Sequence, residues 1–181
     1  MSAVIDSHHD DHHHGPAKGF SRWLYTTNHK DIGSMYLWFS LVMLFIGGAM
    51  AMVIRAELFE PGSQIVSPEF YNQMVTNHGL IMVFGVIMPA FVGFANWMIP
   101  MQIGAPDMAL PRLNNLSFWI LPVAFGILLS TFFMEGGAPN FGWTFYAPLS
   151  TEYAPPTVTF FIFSVHIMAV SYTHLTLPTK A

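Results

Sequence analysis

The sequence contains no cysteine. Without thiols it cannot build a disulfide framework, a thiolate metal site or a cysteine nucleophile, so any metal must be held by His, carboxylate or Met. Charge is also scarce: Asp, Glu, Lys and Arg make up 9% of the residues, against about 25% in soluble proteins. There is no Lys/Arg-rich tract to neutralise phosphates and the formal net charge is -4, so nucleic acid is excluded as a partner. In place of charge the chain carries 53% hydrophobic residues, grouped in runs long enough to cross a bilayer. Such spans take up most of the 181 residues, which leaves no room for a separate soluble domain.

Four uncharged runs define the organisation. Residues 32–54 form span one, and 70–106 contain span two with its apolar body at 73–99 and a kink expected at Pro89. Residues 113–134 form span three, which includes Pro122 and is entered through Asn114 as an N-cap. A fourth run opens at Thr157 and gives way to polar residues after Val170, short of the usual 20 or so. The fold class expected is all-α, a polytopic transmembrane helix bundle of three complete spans and a truncated fourth. Residues 1–30 are a cytoplasmic tail and pre-membrane segment. Within it His8, His9, His12, His13 and His14 alternate with acids in a disordered stretch where no fixed geometry would make a metal site. Between spans three and four, 135–156 is rich in Gly and Pro, as in Gly136-Gly137 and Pro155-Pro156, and reads as a structured outer loop.

Orientation follows the Lys/Arg asymmetry of short loops. Lys18, Arg22 and Lys30 precede span one and Arg112 lies between spans two and three, whereas the other side has Arg55 alone. The N-terminus and the 100–112 loop are therefore expected in the cytoplasm, with 55–69 and 135–156 outside.

His78 is the only ionisable residue within span two, eight residues after Phe70 and so about 12 Å deep at 1.5 Å per residue. An intramembrane histidine suggests function. One imidazole nitrogen can hold haem iron while the other engages an acceptor, and a plain hydrogen bond between helices fits the same position. Arg55, at the outer end of span one, can reach a shared ligand at similar depth or snorkel to headgroups. Asp107 is the only carboxylate of the inner loop, flanked by Asn96 and Asn114. Such a set can hold a file of waters and pass protons, or merely cap helices. The 13 Met read as packing. Gly47-Gly48, Gly85, Gly93 and Gly126 permit close helix approach or a flat cofactor, and His166 reads as a core hydrogen bonder.

Several motifs together resemble subunit I of the haem-copper oxidases: Thr27-Asn28-His29-Lys30-Asp31-Ile32-Gly33, Arg55-Ala56-Glu57-Leu58, Asn96-Trp97, Ile103-Gly104-Ala105-Pro106-Asp107-Met108, Pro111-Arg112-Leu113-Asn114-Asn115, Ser117-Phe118-Trp119 and Gly142-Trp143-Thr144. The resemblance runs from about Gly19 to Val170. It implies a parent of about a dozen helices, of which this is about the first third. That parent would reduce oxygen to water and pump protons with haem a, haem a3 and copper B, beside subunits II and III in a bacterial inner membrane. Cytochrome c is the electron donor implied, with a quinol oxidase as the alternative and a non-enzymatic transporter as the alternative of another class. The implied roles are His78 as an axial ligand of haem a iron, Arg55 on its formyl group and Trp143 close to its propionates. Glu57 and Gln64 would bind calcium or sodium, and Asp107, Asn96 and Asn114 would form a proton-channel entrance. No catalytic residue is assigned, and the chain alone is expected to be inactive. Residues 172–181 resemble a translated transposase-type sequencing adapter and are expected to be foreign to the protein.

Overall fold

The structure is a computed structural model describing residues 19–62 and 65–172. The His-rich stretch, Gln64 and residues 173–181 lie outside the described residues. Among those described there are helices and turns but no strands. A short helix α1 (Phe20–Tyr25) precedes α2 (His29–Glu57). Next comes one continuous rod made of α3 (Pro68–Leu80), a π-helical stretch (Ile81–Ile87) and α4 (Met88–Ile103). Helix α5 (Pro111–Ser130) ends in a 3₁₀ turn (Thr131–Phe133), and α6 (Val158–Val170) follows the long loop. Three of these rods, His29–Glu57, Pro68–Ile103 and Pro111–Phe133, are long and apolar enough to cross a membrane. The apolar helix Val158–Val170 is shorter.

Helix boundaries follow local chemistry. Asn28 caps α2 by accepting from Lys30 N at 2.9 Å, and Ser67 caps α3 by accepting from Phe70 N, with Pro68 at the first helical position where no N–H is needed. Gly104, with φ of 70°, takes the left-handed conformation that stops α4, so the inner loop begins there rather than at Pro100. At the start of α5, Pro111 opens the helix and Leu110 is the N-cap, without a side-chain bond. The cap expected at Asn114 is thus corrected: Asn114 sits one turn inside the helix, because Pro111 begins it earlier.

Pro89 stands two residues after the π-helical stretch, as the second residue of α4. A proline lacks the N–H that would donate to the carbonyl four residues back, and its ring crowds that carbonyl. The wider turn resolves the conflict: Met88 N–H reaches Val83 O, a five-residue step. Ser40 Oγ on α2 adds a hydrogen bond to Val86 O at 2.9 Å.

The rods run alternately up and down. Helix α2 packs along the α3–α4 rod on one side and against α5 on another, and α6 packs on α5. Between them lie Ile32, Tyr36, Ile81, Leu121, Leu128 and Met168, each essentially inaccessible. Met35, Met43, Met50 and Met74 are also buried, as a packing role requires. Where α2 crosses α4, a Cβ on Gly33 would stand 2.6 Å from Trp97 Cδ1 and 2.9 Å from Gly93 O, so only glycine allows the approach. Gly47 and Gly85 are similarly crowded, whereas a Cβ on Gly48 or Gly126 would meet open space.

Candidate functional site

His78 lies three residues before the π-helical stretch, where α3 faces α2. Its Nδ1 is 2.9 Å from the carbonyl oxygen of Gly47. That geometry makes Nδ1 the protonated donor and leaves the Nε2 lone pair available to a metal. A Cβ on Gly47 would meet Met82 Sδ at 2.9 Å and Ile81 Cγ2 at 3.2 Å, so the absent side chain lets the two rods close to hydrogen-bonding range. A Cβ added at Gly48 or at Gly79 would have no neighbour within 4 Å. An imidazole oriented in this way by a backbone carbonyl suits a ligand of a metal ion or haem iron.

Arg55 lies eight residues beyond Gly47 on α2, a rise of about 12 Å, so its backbone is offset from the His78 level rather than matched to it. It shares a helix face with Gly48, two turns away, and is exposed with no ion-pair partner among the described residues. Trp143 is exposed at 64% and lines an apolar cavity of about 500 Å³ with Leu80, Phe84, Phe161, Val165 and His166. The loop that carries it is tied to α3 next to His78, since Thr76 Oγ1 accepts from Gly142 N at 3.0 Å and Asn77 Nδ2 donates to Pro139 O at 3.2 Å. His166 departs from the expected core role: it is exposed and its Nδ1 bonds Ile162 O within its own helix at 2.8 Å. Glu57 is buried at the end of α2, where Oε2 accepts from Ile65 N and Val66 N at 2.8 and 3.0 Å and so closes the outer loop. Among the described residues no group of three or more His, Asp or Glu comes together.

The second cluster lies at the opposite end of the rods. Asn114 Nδ2 donates to Asn96 Oδ1 at 2.6 Å, and both residues are 2% exposed. Asp107 does not bond that pair. Its Oδ1 accepts from Met108 N at 2.7 Å and lies 3.3 Å from His29 Nδ1, while its side chain is 37% exposed. His29 is a site residue that the sequence reasoning missed; it falls within the quoted Thr27-Asn28-His29-Lys30 motif, yet only the fold brings it to Asp107. Asn114 Oδ1 and His29 Nε2 are buried without a protein hydrogen bond, and each needs a partner that water can supply. One turn along α5 from Asn114, Ser117 is bonded by Tyr36 Oη and Ser171, which continues a polar line into the bundle. Tyr36, Ser117 and Ser171 were also missed, since isolated hydroxyls in apolar runs carry no signal until helices are paired.

Comparison with known proteins bears on both clusters. The family model described as Cytochrome C and Quinol oxidase polypeptide I matches residues 31–178, a match that ends beyond Val170, where the motif resemblance stops. Cytochrome c oxidase subunit 1 of Corynebacterium diphtheriae is 48% identical over 146 residues, covering 80% of this chain and 26% of that protein. A probable cytochrome c oxidase subunit 1-alpha of Streptomyces coelicolor is 47% identical over 143 residues, 79% of this chain and 25% of that protein. A heme-copper oxidase subunit I+III of Aeropyrum pernix is 46% identical over 137 residues, 76% of this chain and 17% of that protein. The chain thus spans about a quarter of the length of the first of these relatives, less than the third expected. With three span-length apolar helices it is a multi-pass membrane protein, and it belongs to the cytochrome c and quinol oxidase polypeptide I family.

Proposed function

We propose that the chain is part of subunit I of a cytochrome c oxidase that reduces oxygen to water and pumps protons across a bacterial inner membrane, working with subunits II and III. The observation that carries this reading is the His78 Nδ1 to Gly47 O hydrogen bond, which orients the imidazole and leaves Nε2 as the ring nitrogen that can hold a metal. When bound there, haem a would supply the redox couple that accepts and passes single electrons. His78 would hold its iron, Arg55 would hydrogen-bond its formyl oxygen through the planar guanidinium fork, and Trp143 would cover the propionate side. Haem a3 and copper B belong to the same proposal, and no residue of this chain is assigned to them. Glu57, its carboxylate oriented by two backbone N–H groups, and Gln64 would contribute oxygens to a calcium or sodium ion.

Proton uptake is assigned to the other cluster. Asp107, partly in water, takes a proton from the aqueous phase, with His29 Nδ1 3.3 Å from its Oδ1. The buried Asn114 Oδ1 then orders a water beyond it, in line with Ser117 and Tyr36. Arg22, Lys30 and Arg112 lie at this same end of the rods, which supports a cytoplasmic placement of the N-terminus.

The family description covers both electron donors, whereas relatives at 47–48% identity are named cytochrome c oxidases, which favours cytochrome c. Oxygen consumption by the purified full-length complex tests this. Turnover with reduced cytochrome c is expected, and turnover with quinol alone contradicts it.

A further inference from the structure

Three contacts between α2 and the α3–α4 rod fall at a regular spacing on α2. Near its start, Gly33 O would stand 3.0 Å from a Cβ on Gly93. Farther along, Ser40 Oγ donates to Val86 O at 2.9 Å. Beyond that, Gly47 O accepts from His78 Nδ1 at 2.9 Å. Gly33, Ser40 and Gly47 are each seven residues apart, the spacing at which an α-helix returns to one face with a drift of only about 20°. The partners on the rod are not evenly spaced. Gly93 and Val86 are seven residues apart, but Val86 and His78 are eight.

An α-helix turns by about 100° per residue. In an unbroken α-helix the eighth residue would therefore carry His78 about 100° past the face that meets α2, and away from Gly47. The π-helical stretch Ile81–Ile87 overlaps this interval. A turn bonded from i to i+5 holds one residue more than an α-turn, which takes up the excess rotation and returns His78 to the α2 side. Gly85, within the stretch, lets the wide turn lie against α2, because an added Cβ would meet Met43 Cβ at 3.2 Å. Ser40 joins the two rods at the same level. It is buried and reaches across to Val86, whereas Ser34 on the same helix bonds Lys30 O of its own backbone.

We propose that Ser40 is a positioning residue for His78, acting through the extra residue of the π-helical stretch, a role that rests on the reading of His78 as a haem ligand. Pro89 accounts for an interruption of the α-helix, but a kink would meet its demand without changing the residue count. The step of eight between Val86 and His78 is what the wide turn uniquely accommodates. The Ser40 hydroxyl fixes Val86, near the end of that turn, in register with α2. Without this bond the stretch is free to exchange i to i+5 bonds for i to i+4 ones, and each such exchange turns His78 relative to Gly47. Ser40 itself lies seven residues from Gly47, about 10 Å along α2, and acts on the imidazole only through the backbone of the rod.

The test deletes Val83, an exposed residue of the stretch, from the full-length protein and compares it with Val83→Ala, which trims the same side chain but keeps the residue count. Deletion is expected to abolish the low-spin haem band of the reduced-minus-oxidised spectrum, and Val83→Ala to retain it. Retention of the band in both, or its loss in both, overturns the proposal. Cryo-electron microscopy of the deletion variant reads the register without reference to haem. Regular α-turns with His78 rotated away from Gly47 are expected, and His78 still bonded to Gly47 O overturns the proposal. Ser40→Ala, which keeps the chain length, decides the matter if the deletion variant fails to insert. Hydrogen exchange of residues 81–90 is expected to become about fivefold faster and the electron paramagnetic resonance g-values of the low-spin haem to shift, with both restored in Ser40→Thr, which keeps the hydroxyl. A lowered thermal stability with unchanged exchange and g-values overturns the proposal in favour of plain packing. A low-spin band that survives in His78→Ala refutes the haem reading instead, and the register seen by microscopy is unaffected by that result.

Discussion

The carbonyl oxygen of Gly47 lies 2.9 Å from Nδ1 of His78, and a Cβ on that same glycine would collide with Met82. One residue thus both accepts the hydrogen bond and permits the helix approach that makes it possible. Through it the imidazole gains a fixed tautomer and would be a stronger electron donor to any iron it held, which favours the oxidised state.

Gly47→Ala is therefore expected to push Met82 aside, weaken the hydrogen bond and raise the midpoint potential of the low-spin haem proposed at His78. Losing a hydrogen bond worth about 1 kcal/mol corresponds to on the order of 40 mV for a one-electron couple. A redox titration of the purified variant followed at the haem band measures it, and an unchanged or lowered potential contradicts this role for Gly47.

Asp107→Asn in the full-length protein is expected to slow oxygen reduction several-fold and to abolish pumping, because the amide cannot take up a proton at the only acid of the inner loop. Proton release from reconstituted vesicles during turnover reports on this directly. Wild-type pumping by the variant would reduce Asp107 to a residue that closes a turn on Met108 N.

Gly33→Ala is expected to destabilise the bundle by about 1–3 kcal/mol, since the added Cβ would lie 2.9 Å from the backbone oxygen of Gly93, which cannot rotate away. Gly126→Ala, with open space at its Cβ, is expected to change stability by less than about 1 kcal/mol. Thermal unfolding in detergent compares the two; equal midpoints would show that the α2–α4 crossing is not a tight contact.

Thr76→Val removes the acceptor of Gly142 N without changing side-chain volume. The loop carrying Trp143 is expected to loosen, by about 1–3 kcal/mol of local opening free energy. Hydrogen exchange of residues 136–146 should accelerate while that of α3 does not, and uniform exchange would mean that the loop is held by packing alone.

The spans were legible because charge is so rare here that 32–54, 70–106 and 113–134 stand out by its absence, and the described helices enclose or overlap each of them. Their internal geometry was not legible. Nothing in Ile81–Ile87 marks a π-helical stretch except the nearby Pro89, which a kink would have accommodated equally well. Asn114 read as a cap because Asn favours that position, yet Pro111 starts the helix earlier and turns the Asn114 side chain inward to Asn96. His78, Arg55 and Asp107 were found because a charged or ionisable group in or beside an apolar run is costly and so conspicuous. His29 was not, because 78 residues separate it from Asp107 and only the antiparallel rods bring them together.

The most direct test of the central assignment is the reduced-minus-oxidised optical spectrum of the full-length protein with His78→Ala, purified after its insertion into membranes has been verified. Loss of the low-spin haem band, with the helical content of the wild type retained, is the result expected if the Nε2 aimed away from Gly47 holds iron. A low-spin band of unchanged position and intensity would contradict it and leave His78 as a hydrogen bond between two helices.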